Sequence, residues 1–232
     1  MWTPEKVSRL WAHIALRDTA PGRYFSASLA DSVIRFASRH GARLNGRVLD
    51  YGCGPGFLLQ KLGQQGITCD GLDFSEESAA LARVRMARAP GAHRIVVARG
   101  LPTPLAGESY DVVFLIETVE HLLEHELEAT VGELARLLRP RGTVVVTTPN
   151  AEDLEAAEVL CPDCGCMFHG MQHVRSFTSD ALRRLLEKHG LRTRFCAPRF
   201  FDRGTLASRL YGAALRLAGL PLPHLAYVGE RR

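Results

Sequence analysis

The feature that most restricts the fold is a regular alternation of short β-branched runs with longer segments of helical spacing. Runs with the composition of buried strands cover residues 47–51, 67–73, 94–98, 110–116, 142–149, 191–197 and 225–230. Helical patterns lie between the first five runs, as in 75–88 and 128–142. This alternation predicts βαβ units and a parallel sheet that is covered on both faces. Because such crossovers are right-handed, we expect a doubly wound α/β fold.

The rest of the chain adds to this sheet without repeating the pattern. Residues 1–45 have the spacing of two helices that precede the first strand, and residues 151–176 interrupt the alternation later in the chain. Further helical patterns cover 178–189 and 204–219. Since no low-complexity linker separates these parts, we expect a single domain, residues 1–232, with an N-terminal helical lid and one insertion.

Composition excludes several classes of protein. With 46% hydrophobic and 23% charged residues, the chain has the makeup of a globular domain and not of a disordered one. The net charge is only +4, and the sequence contains no block of like charges, so a nucleic-acid partner is not indicated. The longest apolar runs are far shorter than the ~20 residues of a membrane span, and the N-terminus has no apolar core followed by a cleavage site. We therefore expect a cytoplasmic protein that does not enter the membrane.

The most informative segment is VLDYGCGPGFLLQKL, residues 48–62. A buried strand includes Asp50, glycines follow at Gly52, Gly54 and Gly56, and a helix begins at once. Glycine allows a tight turn and lets the backbone approach a ligand closely. The ligand is then expected at the carboxyl ends of the strands, where open α/β sheets bind small molecules.

The spacing of these glycines decides between two cofactors. A dinucleotide fingerprint needs a third glycine at position 57 or 59, which are Phe57 and Leu59, so a nicotinamide oxidoreductase is not indicated. The pattern D-x-G-x-G-x-G instead resembles motif I of the class I S-adenosylmethionine-dependent methyltransferases. Asp73 ends the second strand, where a carboxylate can accept both hydroxyls of a ribose.

The resemblance to this family continues downstream. Residues 110–122, YDVVFLIETVEHL, are similar to the family's fourth strand, and residues 134–150 resemble its helix, turn and fifth strand. One departure is that 94–107 contain no carboxylate, where many relatives carry an acid that contacts adenine. The resemblance covers 44–150 firmly and 173–198 more loosely. It implies S-adenosylmethionine as cofactor and a Rossmann-like seven-stranded sheet with helices on both faces and an antiparallel last strand.

The resemblance also assigns side chains to the cofactor. It implies that Asp73 holds the ribose, that Phe74 lies against adenine, and that Glu117 lies near the methionine portion. The full set of expected cofactor-binding residues is Asp50, Gly52, Gly54, Gly56, Asp73, Phe74 and Glu117. Tyr24, in the N-terminal lid, is the residue expected to close over the site and contact the substrate.

A methyl acceptor that carries a proton requires a general base. His121 follows the fourth strand directly and is the expected catalytic base, while His173 is a competing candidate. Enzymes that methylate exocyclic nitrogens of nucleobases usually carry an Asn/Asp-Pro-Pro-aromatic motif after this strand. Because residues 116–119 read Ile-Glu-Thr-Val, we expect instead an oxygen or nitrogen of a small molecule or sugar as the acceptor.

The segment CPDCGCMFHGMQH holds three of the six cysteines. Its spacing predicts a zinc site formed by Cys161, Cys164, His169 and His173, with Cys166 as a substitute ligand. The alternative is a compact loop with free thiols in which His173 faces the active site, and the two interpretations exclude each other. A further hypothesis for the whole chain is a non-catalytic module of the same fold that uses this zinc knuckle to engage a protein or nucleic acid.

Overall fold

The structure is a computed structural model that describes residues 2–17, 24–87 and 94–232. Its strands are β1 (Val48–Tyr51), β2 (Cys69–Asp73), β3 (Ile95–Val97), β4 (Tyr110–Ile116), β5 (Leu138–Pro149), β6 (Glu158–Leu160), β7 (Met167–His169), β8 (Leu191–Arg199) and β9 (His224–Arg231). Its helices are α1 (Pro4–Arg17), α2 (Phe25–Arg39), α3 (Phe57–Gln64), α4 (Glu76–Met86), α5 (Glu124–Leu137), α6 (Ser179–Lys188) and α7 (Leu206–Leu217). Two 3₁₀ turns, Val119–His121 and Glu155–Ala157, complete the inventory of described elements. None of the described helices is long and apolar enough to cross a membrane.

Seven strands form one sheet in the order β3-β2-β1-β4-β5-β9-β8. Strands β1 to β5 are parallel to one another, and β9 runs antiparallel to both of its neighbours. Successive strands are added toward one edge from β1 to β3 and toward the other edge from β4 to β5, so the strand order reverses between β1 and β4. Open α/β sheets bind ligands at this position. The predicted doubly wound, seven-stranded α/β sheet with an antiparallel last strand is confirmed.

The two faces of the sheet carry separate cores. Along β4, Val112 and Phe114 pack with α2, α3 and α4, whereas Val113 and Leu115 pack with α5 and α6. Successive side chains of a strand point to opposite faces, so a strand that is covered on both sides must be apolar throughout. This is why the β-branched runs identify the strands, and it leaves their carboxyl ends as the open edge of the sheet.

Two segments differ from the sequence expectation. The helical spacing of residues 128–142 predicts a helix up to position 142. Instead, α5 ends at Leu137 and β5 begins at the next residue, so residues 138–142 form the first part of a strand. Within residues 151–176, the short strands β6 and β7 pair as a separate antiparallel hairpin. Leu160 and Met167 in this hairpin are exposed, so no buried face imposes an alternating pattern that would identify the strands.

Candidate functional site

The glycine loop connects β1 to α3 and is fastened to the neighbouring strand. The backbone N–H groups of Gly52 and Cys53 both donate to the carbonyl oxygen of Leu72, at 2.8 and 3.0 Å. Gly52, Gly54 and Gly56 all have positive φ angles, of 77°, 50° and 83°. Glycine adopts this left-handed region without steric cost, so the turn that begins α3 depends on these residues.

Two of these glycines have different surroundings. A Cβ atom on Gly52 would lie 2.7 Å from Oγ1 of Thr118, so the loop and the segment after β4 require glycine to pack this closely. A Cβ atom on Gly54 would meet nothing nearer than Cε1 of Tyr24, at 3.8 Å. Gly54 therefore leaves an open backbone surface at the edge of the sheet, where a ligand can approach.

Asp73 is anchored at the end of β2 beside this surface. Its Oδ2 accepts the N–H of Gly54 at 2.8 Å, and its Oδ1 accepts the N–H of Ser75 at 2.9 Å. Burial raises the pKa of Asp73 to about 6, while these backbone donors act in the opposite direction. Asp73 is therefore ionised near neutral pH and retains lone pairs that can accept further hydroxyl donors.

Two neighbours of Asp73 complete this part of the site. Burial raises the pKa of Asp50 to about 8, and the charge of Asp73 adds to the increase, so Asp50 holds a proton at pH 7. Phe74 is 38% exposed, so its ring is accessible to a flat ligand.

Glu117 directly follows β4 and has a strained backbone conformation with a φ angle of +47°. Its N–H donates to the carbonyl oxygen of Thr147 at 3.0 Å, which holds the segment in place. Burial raises the pKa of Glu117 to about 7. Its Oε1 is buried without a hydrogen-bond partner among the described residues, and its Oε2 lies 3.9 Å from Nδ1 of His224. An ammonium group of a ligand would satisfy this orphaned oxygen.

These observations test whether S-adenosylmethionine fits the site. The open backbone at Gly54, the carboxylate of Asp73 and the exposed ring of Phe74 match the needs of its methionine portion, ribose and adenine. The unsatisfied oxygen of Glu117 provides an acceptor for its amino group. The residues present therefore fit this cofactor.

A second polar cluster joins three histidines to Glu152. Oε2 of Glu152 lies 2.5 Å from Nδ1 of His173, and its Oε1 lies 3.5 Å from Nε2 of His169. The rings of His169 and His173 stack with centroids 4.3 Å apart. The ring of His121 meets that of His173 edge-on, with centroids 4.8 Å apart. One carboxylate therefore serves two imidazoles, and a third imidazole lies against them.

Hydrogen bonds fix the proton positions in this cluster. Nδ1 of His169 accepts the N–H groups of Met171 and His173, at 3.3 and 3.2 Å, so the proton of the neutral ring lies on Nε2. A protonated Nε2 is not available to a metal ion. In His173 the short contact with Glu152 places the proton on Nδ1, which leaves Nε2 as the basic nitrogen.

His121 is enclosed more tightly than His173. Its Nδ1 lies 3.4 Å from the carbonyl oxygen of Gln172, and the ring of Trp11 packs edge-on against it with centroids 4.9 Å apart. Gln172 in turn accepts from Nε1 of Trp11 at 2.9 Å and donates to the carbonyl oxygen of His121 at 2.7 Å. Burial, with a smaller contribution from His173, lowers the pKa of His121 to about 3, so this imidazole is neutral.

The predicted zinc ligands fall into two groups. The thiols of Cys161, Cys164 and Cys166 lie together at the tip of the β6–β7 hairpin, whereas His169 and His173 lie with Glu152. Within the described ranges, no group of potential ligands combines the thiols with the imidazoles. The expected set of two cysteines and two histidines is therefore not assembled, because the hairpin places the thiols and the imidazoles in separate clusters.

The remaining predicted residue, Tyr24, precedes α2 at the open edge. Its ring lies against that of Phe57, with centroids 5.5 Å apart, and its edge faces Gly54. Tyr24 therefore lies beside the open backbone surface at Gly54, the candidate cofactor surface.

Sequence reasoning missed Glu152, Gln172 and His224. His224 could have been found, because the first residue of an antiparallel strand lies at the edge where its parallel neighbours end. A cavity of about 460 Å³ reaches this histidine and is lined by Leu29, Phe200, Phe201, Arg203, Thr205, Ala207, Ser208, Tyr211 and His224.

Known proteins that this chain resembles include methyltransferases. The family model described as "Methyltransferase domain" matches residues 22–194. A ubiquinone biosynthesis O-methyltransferase of Rhizobium johnstonii is 38% identical over 107 residues, which is 45% of this chain and 41% of that relative. The chain thus matches about two fifths of the length of this relative.

Two solved structures share the fold. An S-adenosylmethionine-dependent methyltransferase of Mesorhizobium loti superposes with a TM-score of 0.64 at 18% identity, covering 87% of this chain and all of that one. A 1,6-didemethyltoxoflavin-N1-methyltransferase of Burkholderia thailandensis gives 0.66 at 16%, covering 100% and 91%. Because the family model spans most of the chain, this protein belongs to the methyltransferase domain family and is a class I S-adenosylmethionine-dependent methyltransferase.

Proposed function

We propose that this enzyme methylates a hydroxyl oxygen of a small-molecule acceptor, with His173 as the general base. The observation that carries the proposal is the 2.5 Å contact between Oε2 of Glu152 and Nδ1 of His173. A hydroxyl is a poor nucleophile until it loses its proton, so O-methylation needs a base of this kind. The resemblance to relatives named ubiquinone biosynthesis O-methyltransferase supports oxygen as the accepting atom.

The chain's own residues have defined tasks in this reaction. When bound, S-adenosylmethionine supplies an electrophilic methyl group. Nε2 of His173 accepts the proton that the acceptor hydroxyl gives up as its oxygen attacks. The carboxylate of Glu152 holds the ring in the tautomer with a basic Nε2 and stabilises the imidazolium that results. Asp73 and the glycine loop hold the cofactor, so much of the catalytic advantage comes from alignment and exclusion of water.

His121 remains the alternative base, and we assign it a positioning role. With its pKa lowered to about 3, its conjugate acid gives up a proton readily, so it is a weak acceptor at neutral pH. Its contact with Gln172 ties the histidine cluster to Trp11 of the N-terminal helix. Loss of its imidazole should displace His173 without removing the base itself.

The cavity beside His224 supports a planar, largely apolar acceptor. Its lining includes Phe200, Phe201 and Tyr211, together with the positively charged Arg203. A volume of about 460 Å³ lies within the range of small-molecule sites. His224 connects the cavity to Glu117 at the end of β4, 3.9 Å away. An aromatic hydroxyl compound with an anionic substituent has the chemistry to fit these walls, and its hydroxyl must extend beyond them to reach His173, which does not line this cavity.

The experiment compares acceptors that differ only in the attacking atom. The enzyme is incubated with S-adenosylmethionine and paired compounds such as 4-hydroxybenzoate and 4-aminobenzoate, or catechol and 1,2-diaminobenzene. Formation of S-adenosylhomocysteine is measured. We expect turnover with hydroxyl members alone. Turnover confined to the amine members would refute oxygen as the acceptor.

Variants then test the base. His173→Asn and Glu152→Gln should lower kcat, the first by about 10²–10⁴-fold, while cofactor affinity stays unchanged. His125→Asn is the matched control, because His125 is an exposed histidine of α5 whose side chain is 67% accessible. Wild-type kcat in His173→Asn together with a large loss in His121→Asn would assign the base to His121 instead.

A further inference from the structure

The tip of the β6–β7 hairpin holds three cysteines in a turn that its own backbone fixes. The N–H of Cys161 donates to the carbonyl oxygen of Cys166 at 2.9 Å, and the N–H of Gly165 donates to the carbonyl oxygen of Cys161 at the same distance. Gly165 has a φ angle of +68°, which reverses the chain. These bonds close the turn without a disulfide, and all three thiols are free.

The three sulfur atoms lie close together on this turn. Each Sγ is within 4.8 Å of the other two, and those of Cys164 and Cys166 are 3.1 Å apart. A disulfide bond would need about 2.05 Å. Thiolates around a tetrahedral Zn²⁺, with Zn–S bonds of about 2.3 Å, are about 3.8 Å apart. The 3.1 Å separation is longer than a disulfide bond and shorter than the spacing in a zinc site, and all three sulfur atoms lie near enough for rotation of their side chains to bring them around one ion.

We propose that Cys161, Cys164 and Cys166 together bind one thiophilic divalent metal ion, such as Zn²⁺ or Cd²⁺. The three thiols lose their protons to solvent on binding and supply three thiolate ligands. Cys164 and Cys166 are exposed, so the fourth position of the metal is open to water or another exchangeable ligand.

The histidines of the segment are not ligands of this ion. Nδ1 of His169 accepts two backbone N–H groups and its Nε2 carries the proton, and Nδ1 of His173 is engaged with Glu152. The ligand set therefore comes from the turn alone. This differs from a zinc knuckle of two cysteines and two histidines, and it leaves His173 available as a base.

A bound ion would have a structural effect on the insertion. It would link three points within a six-residue turn, between β6 and β7, and β7 ends at His169. Metal occupancy should therefore stiffen the hairpin that leads to the histidine cluster.

The test is a Cd²⁺ titration of the whole reduced protein after removal of metals with a chelator. Thiolate-to-cadmium charge transfer absorbs in the ultraviolet, and its intensity reports the number of thiolate ligands. We expect a saturable band at about one equivalent. Cys161→Ser, Cys164→Ser and Cys166→Ser should each remove about one third of the intensity and weaken binding at least about tenfold.

Three control variants separate this site from the alternatives. Cys196→Ser removes a half-buried thiol on β8 and should leave the titration unchanged, as should His169→Ala and His173→Ala. The proposal is overturned if the wild-type protein gives no saturable band, or if either histidine variant weakens binding as much as Cys164→Ser. Because the readout is metal binding, failure here would be independent of any failure in methyl transfer.

Discussion

Replacing Gly54 by alanine separates the role of the glycine loop in folding from its role in binding. Gly54 has a φ angle of +50°, and a methyl group there would meet nothing nearer than Cε1 of Tyr24, at 3.8 Å. The folded protein therefore has space for the methyl group. The remaining cost is the left-handed backbone, about 1–2 kcal/mol for a residue with a Cβ atom. For a chain of this length that corresponds to a decrease in Tm of roughly 2–8 °C.

The chain offers a matched control for this backbone cost. Gly66 has a φ angle of +74°, and a Cβ atom there would meet nothing within 4 Å. It follows the carboxyl end of α3, whereas the cofactor loop precedes the amino end of the same helix. Gly66→Ala should lower Tm by a similar amount without touching the cofactor surface.

The assay is isothermal titration with S-adenosylhomocysteine, paired with thermal unfolding of the same samples. Both variants should lose similar stability, but only Gly54→Ala should lose affinity. A methyl group on the surface that the cofactor approaches should cost about 2 kcal/mol or more, a weakening of roughly 30-fold. If Gly54→Ala binds as tightly as Gly66→Ala, the cofactor does not lie against Gly54 and the assignment of this loop is wrong.

Three further predictions follow from the same edge of the sheet. The folded-state pKa of Asp50 is raised by burial to about 8, so this carboxyl should make wild-type stability fall as pH rises from about 4 to 8. Asp50→Asn should lower the slope, leaving the part due to Asp73 and Glu117, and exceed the wild type by roughly 3–6 kcal/mol in urea unfolding at pH 9. Equal slopes would contradict it. Because the pKa of Asp73 is about 6, loss of its charge between pH 7.5 and 5.5 should by itself weaken the Kd for S-adenosylhomocysteine about fourfold, and this part of the pH dependence should be absent in Asp73→Asn; the same pH dependence of Kd in both proteins would count against Asp73. Gly52→Ala should destabilise the fold because its Cβ would lie 2.7 Å from Oγ1 of Thr118, and adding Thr118→Ala should restore part of the loss; strictly additive unfolding free energies would show that the two sites do not interact.

The fold was predictable because its strands are buried on both faces. Runs such as residues 112–116 are therefore apolar without interruption, and glycines mark where the chain turns. The β6–β7 hairpin has no such requirement. Its short strands expose Leu160 and Met167, so neither periodicity nor a hydrophobic run reveals them.

The grouping of the candidate cofactor residues was easier to predict than that of the histidine cluster. Asp73 and the glycine loop lie at the ends of adjacent strands, and their backbone conformations depend on local sequence. Trp11 and Gln172, however, contact each other across 161 residues of sequence. Such contacts depend on how α1 packs against the segment that contains Gln172, which no local pattern encodes.

The zinc expectation illustrates a different limit. A separation of four residues places His169 and His173 on one face only if the segment is helical. Here His169 ends a strand, and the turn that follows stacks the two rings beside Glu152. The spacing therefore correctly indicates proximity, but the partner of these imidazoles is a carboxylate and not the thiols.

The central claim is that Asp73 and the glycine loop hold the methyl donor. Its most direct test is isothermal titration of S-adenosylhomocysteine into the wild-type protein and Asp73→Asn, with circular dichroism to confirm that both are folded. We predict one saturable site in the wild type and a loss of affinity of at least about tenfold, or about 1.4 kcal/mol, in the variant. No saturable binding by the wild type up to about 1 mM ligand, or equal affinity in the folded variant, would contradict it.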